Sequence, residues 1–128
     1  MRNLLSVVYV LLLTSTVNAQ ITLSGTDYTQ NFDGVGTSLP FGFQVAANAT
    51  STSLGTAATF TTTATAWNST SSGWKNYASA EGLVSGSTTV AQSASADRVV
   101  AMRQSGSTGD PGSALEMQLA NTNGFTDF

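Results

Sequence analysis

The sequence predicts an all-β fold, an antiparallel β-sandwich of the jelly-roll kind, preceded by a signal-peptide helix. Three observations carry that expectation. Between residues 50 and 72, fourteen of twenty-three residues are Ser or Thr, which disfavours helix through β-branching and side-chain competition for backbone bonds. Several segments alternate apolar and polar residues with period two, as a strand with one buried face does. Between them lie turn signals: Asp33-Gly34 with Gly36, Leu39-Pro40, Ser72-Gly73, Ser85-Gly86 and Asp110-Pro111-Gly112, the last suiting a type II turn.

Residues 1–19 combine a basic tip at Arg2, an apolar run from Leu4 to Leu13 broken by Ser6, and a small-residue cleavage site at Val17-Asn18-Ala19. That order is a secretory signal peptide, with cleavage expected after Ala19. A bilayer span needs about 20 mostly apolar residues, and this run is half that length, so contact with the membrane is expected to be transient. Residues 20–128 form the β-sandwich module. Asp27 to Phe32 reads as a first short strand, with Tyr28, Gln30 and Phe32 on one face, and Gly42 to Ala46 as a second, with Phe43 and Val45 together.

Within the Ser/Thr-rich stretch, Leu54, Phe60 and Trp67, followed by Trp74, supply large apolar groups that a flexible linker lacks, so strands are expected there too. Arg98 to Gln104 places Val100 and Met102 on one face and Val99, Ala101 and Arg103 on the other. Ser113 to Ala120 is the clearest alternation: Leu115, Met117 and Leu119 define a core face, and Ala114, Glu116, Gln118 and Ala120 a wet one. No helix is expected after residue 19. The end reads as a turn at Asn121 to Gly124, followed by the opening of a further strand at Phe125 to Phe128, as in a truncated module.

Composition narrows the chemistry. Residues 20–128 retain three basic residues and seven acidic ones, a formal charge of 3 − 7 = −4, which repels a phosphate backbone, so nucleic acid is not expected as a partner. The chain has no Cys and no His. It therefore has no disulfide, no zinc site of the Cys/His kind, and no Ser-His-Asp or Cys-His nucleophile.

Five phrases carry a resemblance: Tyr28-Thr29-Gln30-Asn31-Phe32-Asp33-Gly34, Thr65-Ala66-Trp67-Asn68, Gly73-Trp74-Lys75-Asn76-Tyr77, Ala96-Asp97-Arg98, and Gly109-Asp110-Pro111-Gly112-Ser113-Ala114. From about Thr26 to Phe128 the chain resembles the N-terminal β-sandwich modules of large Bacteroidota surface proteins, those that end in a type IX secretion sorting domain. The resemblance implies a sandwich at the start of a longer exported protein, often followed by immunoglobulin-like repeats, a lamin-tail-like domain or a hydrolase. The chain itself carries neither those followers nor the sorting domain.

Trp67, Trp74 and Tyr77 are candidate ligand-binding residues, because flat aromatic faces stack on sugar rings and Ser, Thr and Asn around them bind hydroxyls. The competing account is core packing, which a chain with few large hydrophobes also needs. Asp33, Asp97 and Asp110 stand beside turns where carboxylates can converge on calcium, the one cofactor considered, against the alternative of turn-stabilising Asx bonds. Asp97 beside Arg98 also reads as half of a surface ion pair. Glu81 and Glu116 are the only glutamates, and nothing in their spacing brings them to the roughly 5 to 9 Å of a glycosidase pair. The glycines around Gly34 lack a nucleotide-binding pattern, and the sequons at Asn48 and Asn68 are assigned no role. The expected function is a secreted or cell-surface, non-catalytic module that binds polysaccharide or a cell-surface glycan. The alternatives are a structural spacer and the N-terminal part of a larger secreted hydrolase.

Overall fold

The computed structural model describes residues 20–23, 27–106, 108–110 and 112–120. The expected signal peptide and the expected strand at Phe125 to Phe128 lie outside these residues. The described part is all-β with one short helix. In chain order it runs β1 (Ile21–Thr22), a 3-10 turn (Asp33–Gly36), β2 (Phe43–Ala47), β3 (Thr56–Ala57), β4 (Phe60–Thr65) and β5 (Gly73–Ala78), then α1 (Thr89–Ala94), β6 (Arg98–Arg103), β7 (Ser113–Met117) and β8 (Leu119–Ala120). The strands make two three-stranded sheets, ordered β3-β2-β7 and β4-β5-β6, and a two-stranded pair β1-β8.

The β3-β2-β7 sheet is antiparallel, with Val45 opposite Leu115 and Phe43 opposite Met117. The entry to β2 depends on one glycine. The Phe43 N–H bonds the Pro40 carbonyl at 3.0 Å, and Gly42, third in that turn, has φ 78°, the left-handed conformation that favours glycine there. A Cβ on Gly42 would also collide with the Ile21 side chain.

The long strand expected from Ser113 to Ala120 is divided. Gln118 leaves β2: its N–H bonds the Gly42 carbonyl and its own carbonyl accepts from the Ile21 N–H, both at 2.8 Å. Leu119 and Ala120 then pair in parallel with β1. The expected core face is also corrected, because Leu115 and Met117 are 41% and 45% exposed. On the edge strand β7 these side chains have neighbours on one side alone, whereas Val45, in the middle of the sheet, is buried.

In the second sheet β5 is central, parallel to β4 and antiparallel to β6. The parallel pairings β4-β5 and β1-β8 depart from the purely antiparallel expectation. Trp74, Asn76 and Ala78 are buried, and the intervening Lys75 and Tyr77 are half-buried on the other face. The indole N–H of Trp74 bonds the Ala46 carbonyl at 3.0 Å, which ties β5 to β2 of the other sheet.

Two further expectations are corrected. No strand forms over Asp27 to Phe32. There the Gln30 side chain accepts from the Phe32 N–H at 2.9 Å and the Asn31 side chain from the Asp33 N–H at 3.2 Å, and such local bonds compete with a strand ladder. Phe32 adopts φ 62°, and both Tyr28 and Phe32 lie against Phe43, at centroid distances of 6.2 and 5.2 Å. A helix does form after residue 19. The Thr88 hydroxyl caps α1 by accepting from the Ala91 N–H at 3.2 Å, so the residue type that weakens a helix interior starts this one.

Candidate functional site

Arg98 begins β6 opposite Ala78, and period two puts its side chain on the inward face with Val100 and Met102. The residue is 7% exposed. Its Nε–H bonds Asn76 Oδ1 at 2.8 Å, Nη1 donates to the carbonyls of Gln92 and Ser95 at 2.7 and 3.3 Å, and Nη2 donates to the Asn76 carbonyl at 3.2 Å. Each of these acceptors is neutral. Burial lowers the pKa of the guanidinium below its ordinary value, yet it stays cationic across the accessible pH range. The expected surface pairing with Asp97 gives way to this inward network.

The partners of Arg98 are themselves held. Asn76, 2% exposed, donates through Nδ2 to the Thr62 carbonyl at 2.6 Å. The β4-β5 register shifts between Thr61 and Ala64, and the Asn76 amide takes up a carbonyl in that irregular stretch. Gln92, buried on α1, accepts the Trp67 N–H and donates to the Ser87 carbonyl, both at 2.8 Å. Asp33 Oδ1 accepts the backbone N–H of Arg98 at 3.2 Å, and Oδ2 accepts from Asn31 Nδ2 at 2.6 Å. Among the described residues, no buried side-chain nitrogen or oxygen lacks a partner.

This network forms part of the wall of an open cleft of about 620 Å³ between the 3-10 turn, β4 and α1. Thr62, Thr63 and Ser93 bring hydroxyl-bearing side chains to it, with Asp33, Asn76 and Arg98 as the amide and charged groups. The lining is mixed, with more apolar than polar surface, and includes one carboxylate and one guanidinium. Such a lining offers donors and acceptors at several angles, the chemistry that orients a polyhydroxylated molecule.

The candidates taken from the sequence fall elsewhere, with the exception of Asp33. Trp74 is buried between the sheets. Trp67 is half-buried, and its indole N–H bonds the Ala78 carbonyl at 2.9 Å. Tyr77 stands on the opposite face of β5 from Trp74, so the three rings form no common platform. Asp97 precedes β6, its carbonyl accepting from Ser79 and Ser95, and Asp110 is exposed in the turn before β7. Among the described residues no three carboxylates gather in a group fit to hold a metal ion. Glu116 bonds Gln44 across β2-β7, and Glu81 sits in the loop after β5.

The cleft residues Asn76 and Thr62, and Gln92 behind them, are not among the sequence candidates, and Arg98 is read there only as a surface partner of Asp97. One signal was present: Arg98 lies two and four residues before Val100 and Met102, so the alternation that turns those two, both half-buried, inward also carries the guanidinium inward. Comparison with protein-family models, with curated proteins and with solved structures gives no match for this chain. Among the described residues no helix is long and apolar enough to cross a membrane.

Proposed function

We propose that the chain is an exported, non-catalytic β-sandwich module that binds a glycan in the cleft beside Arg98, at the cell surface or outside the cell. The observation that carries this reading is the cleft itself, an open hollow lined by Thr62, Thr63 and Ser93 together with Asp33, Asn76 and Arg98. Export rests on the Arg2, Leu4 to Leu13 and Val17-Asn18-Ala19 pattern. The sandwich rests on the Trp74 bond between the two three-stranded sheets. Membership among the Bacteroidota surface modules, and the type IX route with it, rests on the five shared phrases.

The test is retention of the purified protein on plant, algal and bacterial polysaccharides. Wild type is expected to be retained on at least one, and Ala96→Trp to be released from it with an unchanged thermal midpoint. Ala96 is an exposed residue lining the cleft, so a bulky ring there blocks the hollow and spares the core. Equal retention of the variant, or no retention of wild type on any polysaccharide, overturns the reading. The second reading, a structural spacer, is favoured by the interior positions of the two indole N–H groups, and it predicts that last outcome.

A further inference from the structure

We infer that the cleft beside Arg98 selects a sugar bearing a carboxylate, a uronate unit, over a neutral one. This inference rests on the glycan reading of the same cleft. A guanidinium removed from water is costly unless it is matched by hydrogen bonds and by opposite charge, and four neutral acceptors supply the bonds alone. Of the five N–H donors on the group, these bonds engage one at Nε, two at Nη1 and one at Nη2. One Nη2 hydrogen remains, on a residue that lines the cleft.

Asp33 does not fill the role of counter-charge. Its Oδ1 takes the backbone N–H of Arg98 and its Oδ2 the amide of Asn31, so it holds the start of β6 instead of the guanidinium. A ligand carboxylate would supply the opposite charge that the four acceptors among the described residues do not, through a charge-assisted bond about twice as strong as a neutral one. The hydroxyl-bearing Thr62, Thr63 and Ser93 line the same hollow and suit the sugar's remaining oxygens.

The test is a titration of the wild-type protein with oligogalacturonate, hyaluronan fragments and cello-oligosaccharides in low salt, followed by isothermal calorimetry. At least one of the two acidic probes is expected to bind ten-fold or more tightly than the neutral one, and the gap to narrow as sodium chloride is raised. Because Arg98 substitutions threaten the fold, the variant is Ser93→Glu. It adds a negative charge at an exposed cleft position and should weaken the acidic probe several-fold more than the neutral probe, with the thermal midpoint unchanged. Equal affinity for acidic and neutral probes overturns the inference and leaves the cleft as a neutral-glycan site. Binding by none of the three overturns it together with the reading beneath it.

Discussion

The two three-stranded sheets reverse the usual relation between polarity and burial. In β4-β5-β6, of which β4 lies in the hydroxyl-rich stretch, Asn76 and Arg98 are interior and hydrogen-bonded. In β3-β2-β7, which contains the clearest apolar alternation in the chain, Leu115 and Met117 are left nearly half exposed. Position within the sheet accounts for Asn76, on central β5, and for Leu115 and Met117, on edge β7, whereas Arg98, on edge strand β6, is interior because acceptors from β5, α1 and the loop after it meet its guanidinium. A central strand buries what its alternate residues present, whether Trp or Asn, while an edge strand leaves even leucine with one uncovered side.

The strongest way to break this comparison is to attack the buried strand. Trp74→Ala removes a large ring and its bond to Ala46, and is expected to cost about 3 to 5 kcal/mol, much of the stability of a small domain. Asn76→Leu keeps similar bulk but takes the acceptor from Arg98 and the donor from Thr62. It should cost about 3 kcal/mol or more by leaving a buried cation short of a partner. Urea unfolding measures both, and a loss under about 1 kcal/mol at Asn76 would mean that the polar network is dispensable. An intermediate effect is expected at α1, where Thr88→Ala deletes the cap and should cost about 1 kcal/mol, read as a lower urea midpoint at constant slope. The smallest effect is expected on the edge. Met117→Lys should change stability by no more than about 0.5 kcal/mol, and a loss as large as that of Trp74→Ala would show that the β7 face is covered in solution.

Much of the secondary structure was legible in advance. The strand from Phe43 and the strand from Arg98 stand where the alternation put them, and strands β3 and β4 occupy the hydroxyl-rich stretch. Less legible was anything governed by one or two particular hydrogen bonds, whether from a side chain or from the backbone. The Gln30 and Asn31 side chains divert Tyr28 to Phe32 from a strand, and Gln118 turns one expected strand into two by bonding both Gly42 and Ile21. These partners are distant or conformation-specific, and periodicity carries no record of them.

The cleft shows the same division more sharply. Asp33, Asn76 and Arg98 are separated by tens of residues, and their convergence, together with Gln92, depends on the β5-β6 register, the irregular β4-β5 pairing and the placing of α1. The sequence by itself determined the all-β character, through β-branched and alternating residues, and the absence of cysteine and histidine chemistry, through composition. Tertiary structure alone decided which polar residues went inside. A guanidinium on an alternating strand is interior or exposed according to whether acceptors from other segments meet it, and those acceptors here are one amide and three backbone carbonyls brought by β5, α1 and the loop that follows it.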